Sequence, residues 1–526
     1  MGFRQCRGSL CESFNFNDYD PKDCRSFSTG NCCPPCEELA RVDEEVARAY
    51  DLLANLAKHR QAIKERINIH HDTLIQILPV EVASRIFITY VDDINAELDL
   101  EEEGIVMKRI VHPPFVLAAV CKDWRDIVTS TPQIWSTANI HIGRNVIPEV
   151  ELTIQWITRS GRLPLNISLS LWSVPNPDSL SPLFQAIREQ APRWRRLSLR
   201  LPSNFYPIFI KDITRAPFLE YLQLYHPRFH GGGFHLPNTP LLSRLHLSDT
   251  PLANLTLQWD NLTDLQAQDT FVNEILEIFR RAQQLVTCKL EILEGFAHEE
   301  LYPVPAAPIV HLSLKDFEVG LQRCDGLVDL ELLLDKLVLP SLDRFVYHSG
   351  GHGPEPNTAD HFISFFTRSQ CLLTTLVMKV GGKDEILVLR ILEHLPTVRT
   401  LSISGNNSSV HILTDGFWKR LSGDISTRNE EFLPRLESLQ FRGRRSFSWI
   451  YFLQTIESLW GQNLNPIGTT EGSRRSGNIT IDMDLSPYGH HSNIEYTSVD
   501  ALQTLMAIKQ NKRVSLKIST GIRRSE

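Results

Sequence analysis

The sequence predicts a mixed α+β or α/β repeat architecture, in which a small helical module precedes a long, irregular array of short strands. Three observations carry that expectation. The chain has 526 residues, too many for one compact core. A helical period of three and four governs much of residues 37–141. From 142 onward, short apolar units of period two recur with turn residues and helix-like stretches between them. The expected domains are a cysteine-containing tail (1–36), a heptad helix (37–71), a helical module (72–141) and a repeat domain (142–526).

Composition narrows the function classes. Hydrophobic residues make up 42% and charged residues 22%, the balance of a soluble globular chain. A net charge of −8 argues against non-specific nucleic-acid binding as the main task. No apolar run is long enough to cross a bilayer, and the first residues lack a signal-peptide core, so an intracellular chain without a membrane span is expected. Gly2 suggests lipidation, but Cys6 stands where Ser or Thr belongs.

Residues 1–36 lack periodicity and are expected to be largely disordered. They hold Cys6, Cys11, Cys24, Cys32, Cys33 and Cys36. Cys33-Pro-Pro-Cys36 has zinc-knuckle spacing, yet no second pair completes a four-ligand site, so no metal and no cofactor are expected. At Glu37 the texture changes. Leu39, Val42, Val46, Ala49, Leu53, Leu56, Arg60, Ile63 and Ile67 alternate in steps of three and four, a heptad seam broken once by Arg60. Neither Pro nor Gly occurs from Glu37 to Leu78. Such a stripe is buried either by a homodimer through residues 39–67 or by packing back on the same chain.

Residues 72–141 read as several short helices. Pro79 suits the first helical position, and Glu81 favours the positive end of the helix dipole. Val82, Ala83, Ile86, Phe87 and Tyr90 then mark one face. Asp92-Asp93 and "ELDLEEEG" (97–104) are expected to end that helix in a solvated loop. A second helix follows Pro113-Pro114, with Val120 and Cys121 on its apolar side. A third, "KDWRDIVTS", carries Trp124, Ile127 and Val128, and "TPQIWSTANIHIG" then turns extended.

The repeat domain is read from units such as "WRRLSLRL" (194–201), "FLEYLQLY" (218–225), "LLSRLHLS" (241–248) and "SLDRFVYH" (341–348). "LLTTLVMK" (372–379), "TVRTLSIS" (397–404) and "RLESLQFR" (435–442) continue the series. Each has the form apolar-x-x-apolar-x-apolar, and its last two apolar positions suit a short strand. Helical return segments include "TFVNEILEIFRRAQQL" (270–285) and "DHFISFFTRSQ" (360–370). One such unit cannot bury its own apolar side, but a stack of them shares a continuous core. The pattern resembles leucine-rich repeats in an irregular form, since the expected Asn appears clearly only at Asn406. A βα-rich globular fold is the alternative.

Leu78-Pro79-x-Glu81, Ile86-Phe87, Val120-Cys121-Lys-x-Trp124-Arg125 and Thr131-Pro132-x-x-Trp135 together resemble an F-box of the kind found in large fungal families. The spacer from Asp93 to His112 is longer and more acidic than in compact F-boxes. The resemblance implies an adaptor: the F-box docks on the Skp-type linker subunit of a cullin ubiquitin ligase, and the repeats hold an unspecified protein substrate. Catalysis then belongs to other subunits, so no enzyme activity is expected of this chain. Leu78, Pro79, Val82, Ile86, Cys121 and Trp124 are the expected partner-binding residues, because a thin module cannot hide so many apolar groups. Leu78-Pro79 is not needed for the helical stripe, whereas Ile86, Phe87 and Trp124 serve equally as core or interface. A competing reading makes the module a cap on a non-catalytic interaction scaffold.

Enzyme motifs fail one by one. "HGGGF" (230–234) resembles an oxyanion loop, but the chain has no Gly-x-Ser-x-Gly elbow. "GGHGP" (350–354) lacks the Lys-Ser/Thr of a phosphate loop, and His70-His71 lacks a zinc-hydrolase pattern. The basic clusters "RRLSLR" and "FRGRRS" are brief and read as solvated faces.

Overall fold

The computed structural model describes residues 33–71, 77–100, 112–142, 146–171, 177–225, 233–293, 295, 300–321, 327–349, 358–380, 385–405, 413–423, 431–443, 446–460, 478–485 and 513–520. The expected disordered tail therefore lies outside the described residues up to position 32. The chain divides into two compact units, Met1–Ile134 and Trp135–Glu526.

The first unit is helical. Helix α1 (Pro34–His71) begins three residues before the texture change at Glu37. Pro34 and Pro35 lack the N–H that a first turn leaves unused, and the Cys33 carbonyl accepts from the N–H groups of Cys36 and Glu37. Its seam is exposed at Leu39, Val42, Leu53, Leu56 and Ile67.

Helix α2 (Val80–Leu100) does not stop at Asp92-Asp93 as expected. Val91 is buried and Ile94 half-buried, so the inward stripe continues past the acids, and no Gly or Pro interrupts it. Pro79 is the residue before the helix rather than its first: its carbonyl accepts from Val82 and Ala83 N–H at 3.0 and 3.1 Å. The acidic spacer beyond Leu100 lies outside the described residues as far as position 111.

Helix α3 (Pro113–Ala118) starts on two prolines, both buried with Leu117. It ends before Cys121, which instead caps α4 (Lys122–Ser130): the thiol sulfur accepts from Trp124 N–H at 3.4 Å. That polar duty corrects the assignment of Cys121 to an apolar helical face. At the far end of α4, Thr131 Oγ1 donates to the Ile127 carbonyl at 2.7 Å and lies 3.1 Å from Ser84 Oγ on α2. Ala83, Phe87, Val91, Leu117, Ile127, Val128 and Ile134 form the small core of this unit.

The second unit is built on a fourteen-stranded sheet in which chain order is spatial order. Its strands are β1 (Thr137–Ile142), β2 (Leu165–Leu171), β3 (Trp194–Arg200), β4 (Tyr221–Tyr225), β5 (Arg244–Ser248), β6 (Asp264–Phe271) and β7 (Thr287–Leu293). They continue as β8 (Asp316–Leu321), β9 (Arg344–His348), β10 (Thr375–Val380), β11 (Thr400–Gly405), β12 (Ser438–Gly443), β13 (Ile479–Leu485) and β14 (Val514–Thr520). Every neighbouring pair is parallel. The segment 137–142, which but for Ile142 the sequence groups with the helical module, pairs residue for residue with β2 and forms the sheet's first edge. Ala138, Ile140 and Ile142 alternate inward there, which gives this strand the same apolar side as its neighbours.

Register explains why the array holds. One apolar row runs Ile140, Leu169, Leu199, Leu224, Leu247, Ala267, Leu290, Val319, Tyr347, Met378, Ile403, Phe441 and Met483 across thirteen successive strands. All of these side chains are buried. A one-residue slip anywhere would turn that strand's apolar set outward. Return helices occupy several of the connections between strands. Phe362, Phe365 and Phe366 of the helix Thr358–Ser369 surround Phe345 on β9, with ring centroids 5.5–6.0 Å away. Connections are uneven, from 20 residues between the starts of β5 and β6 (Arg244 to Asp264) to 41 between β12 and β13 (Ser438 to Ile479). This is a mixed helix-and-strand fold with one large parallel sheet.

Candidate functional site

Two surfaces stand out, one on each unit. On the helical unit, α2 splits the stripe read from sequence into two ridges. Ala83, Phe87 and Val91, spaced four apart, face the core and are nearly inaccessible. Val82, Ile86 and Tyr90, each one residue earlier, face outward with 43%, 49% and 38% exposure. A helical turn of 3.6 residues places both ridges side by side, so one face reads as apolar while only half of it is covered. Before the helix, Pro79 is exposed and Leu78 half-buried. Ile77 and Val80 extend the same stretch and are more exposed still. They were missed because both lie ahead of the stripe read from Val82 onward, Ile77 before the helix and Val80 at its first residue. Val116 on α3 and the following Val120 add further exposed apolar surface.

Cys121 and Trp124 are placed differently. Both are half-buried. Trp124 lies against Phe87, with ring centroids 4.7 Å apart, and so covers one side of the core from α4. Cys121 holds the first turn of α4 in place through its cap. The structure thus brings Val82 and Ile86 together on one ridge just after Leu78-Pro79, while Trp124 and Cys121 support the neighbouring helix. His112, before α3, is held below its usual pKa by burial.

The second surface is the polar face of the sheet, which alternation produces opposite the apolar rows. On β3, β4 and β5 it is cationic and aromatic. Arg196 and Arg244 lie on either side of Tyr221 in the register, with guanidinium carbons 4.8 and 5.7 Å from the ring centroid. Arg200 stands 5.0 Å over Tyr225 in the same way. Beside them Ser198 donates to Gln223, whose amide nitrogen is 3.2 Å from His246 Nδ1.

Farther along, on β7 to β9, the same face is a charge-paired network. Glu318 lies 3.2 Å from His348 Nε2 and 3.4 Å from Lys289 Nζ. The His348 hydrogen bond, with help from Lys289, holds the Glu318 carboxyl well below the usual range, at about 2. Arg344 donates to both oxygens of Asp316. Glu291, in contrast, is pushed up by burial and by Asp269.

Most of the enzyme-like motifs fall on residues that are not described. Phe234 is buried in a two-residue strand, while residues 230–232 and the whole of "GGHGP" lie outside the described residues. Asn406 lies outside them too. Cys33 and Cys36 approach to 3.2 Å, sulfur to sulfur. Among the described residues, no group of three or more His, Cys, Asp or Glu side chains is disposed to hold a metal ion. Nor is any described helix long and apolar enough to cross a membrane. No protein-family model matches the chain, and no curated protein is significantly similar to it.

Proposed function

We propose that the chain is the substrate-recruiting adaptor of a Skp–cullin–F-box ubiquitin ligase. In this reading the helical unit is an F-box that docks the Skp-type linker. The sheet-bearing unit is an irregular leucine-rich-repeat-like solenoid whose polar face holds the protein to be ubiquitinated. The observation that carries the proposal is the exposed ridge of Val82 and Ile86 behind Leu78-Pro79, beside the buried row of Ala83, Phe87 and Val91. Burying one such side chain contributes on the order of 1.5–3 kcal/mol, so a few of them suffice to hold a linker. Trp124 and Cys121 act from α4, one as a partly accessible ring and the other by fixing the helix start.

The adaptor supplies proximity rather than bond chemistry. Holding a substrate beside a charged conjugating enzyme raises its effective concentration toward the millimolar range, a gain of order that tethering alone can deliver. The Arg–Tyr portion of the polar face suits an acidic segment of substrate, because its guanidinium planes are pre-set by the rings beneath them.

Co-purification of the full chain with the linker subunit tests the first half directly. Substituting Leu78→Ala with Pro79→Ala, or Val82→Ser with Ile86→Ser, is expected to abolish retention while leaving the chain folded. Unchanged retention by both double variants removes the adaptor reading. Deleting residues 72–131 spares β1 and separates the competing idea of a cap. A folded sheet unit without the linker supports the adaptor, and aggregation of the remainder supports a cap on a non-catalytic scaffold.

A further inference from the structure

Helix α1 carries information that the adaptor reading does not use. Counting from Leu39 as the first core position, the seam alternates Leu39, Val42, Val46, Ala49, Leu53, Leu56, Arg60, Ile63 and Ile67 along one side of an uninterrupted helix. Leu53 and Leu56 are 62% and 55% exposed, and Leu52 beside them is 61% exposed. The flanking charges are segregated. Glu38 and Glu45 precede core positions in the first half, His59 and Arg66 hold the equivalent places in the second half, and all four are exposed.

We propose that α1 joins two copies of this chain as an antiparallel coiled coil centred near Leu52. In that arrangement Leu39 packs with Ile63 of the second copy, Val46 with Leu56, and Ala49 with Leu53. Arg60, the one charge in the seam, meets Val42 and can carry its head to the rim. Glu38 lies beside Arg66 of the second copy and Glu45 beside His59, while the two Leu52 side chains meet at the dyad.

The parallel alternative is disfavoured by the same residues. It stacks Arg60 on Arg60 inside the seam and sets Glu38 against Asp43. Flanking charges of this kind set orientation in coiled coils because like pairs repel and opposite pairs attract. The second copy is the fitting occupant because the acidic half and the basic half belong to one helix. Each helix therefore presents the complement of its own pattern when reversed.

Sedimentation equilibrium on the full chain tests this. The wild type is expected to dimerise, and Leu53→Asp to abolish the dimer. Glu38→Lys with Glu45→Lys should weaken self-association by about tenfold or more, as should His59→Glu with Arg66→Glu. An equimolar mixture of those two double variants should restore association to within about threefold of wild type, because each mutant flank then faces an opposite charge. Far-ultraviolet circular dichroism of each variant confirms that α1 stays helical. A monomeric wild type, or a dimer indifferent to Leu53→Asp, overturns the proposal. So does tighter self-association of the Glu38→Lys, Glu45→Lys variant, since only a parallel pair would gain from facing Asp43.

Discussion

Ile86 and Phe87 are neighbours on α2, yet Phe87 is 2% exposed and Ile86 49%. On β9, Phe345 and Tyr347 stand two apart, and neither is accessible at all. The contrast separates the two units. In the sheet, period-two alternation sends every second side chain into one shared core, and each new strand continues the rows begun by the last. On α2, an apolar band wider than its seat leaves a ridge over. Apolar content that a strand array absorbs by repetition stays partly exposed on the small helical unit.

The largest expected effect lies in the sheet. Phe345→Ala removes a ring enclosed by Phe317, Phe362, Phe365 and Phe366, and should cost about 3–5 kcal/mol. Urea denaturation followed by circular dichroism reads it. If the loss stays within about 1 kcal/mol, the rows are not the source of stability that their burial indicates.

On α2 the comparison becomes a matched pair. Phe87→Ala should cost about 3 kcal/mol and expose Trp124, shifting its fluorescence to the red. Ile86→Ser, one position away, should change stability by no more than about 0.5 kcal/mol. Equal costs would mean that the outward ridge is covered in solution by the chain itself.

How much of this could be read from residues alone also differs between the units. The strands at 194–200, 344–348 and 400–405 coincide with units quoted from sequence, because alternating Leu, Ile and Phe between prolines leaves few other conformations. β6, "DLQAQDTF", was missed: only Leu265 and Ala267 mark its inward side before the register shifts, and its polar residues dominate the pattern. In the helical unit, the apolar character of Leu78-Pro79 and of the ridge residues was legible. Which of Ile86 and Phe87 faces outward was not, since a 3.6-residue period leaves adjacent ridges unresolved until the neighbouring helices are placed. The continuation of α2 to Leu100 was hidden by its acids, which signal solvent exposure more strongly than helix ending. The pairing of Glu318 with His348 and Lys289 was beyond reach, because it needs the register of three strands at once.

That network supplies the smallest effect and the sharpest sign. Glu318 is held at about 2, below the ordinary carboxylate value of about 4.3, first by its hydrogen bond to His348 and then by Lys289. A group whose pKa falls on folding stabilises the native state above its unfolded value and loses that contribution as pH drops toward the folded one. Glu318→Gln keeps the shape without the charge, so near neutral pH it should be less stable than wild type by about 1 kcal/mol. The gap should close as the pH is lowered through the window between about 4.3 and 2. Urea midpoints for the two proteins, compared at several values across that window, decide the matter. A gap that persists unchanged in acid would place the cost in lost packing rather than in charge. The polar face would then be held together by the strands beneath it alone.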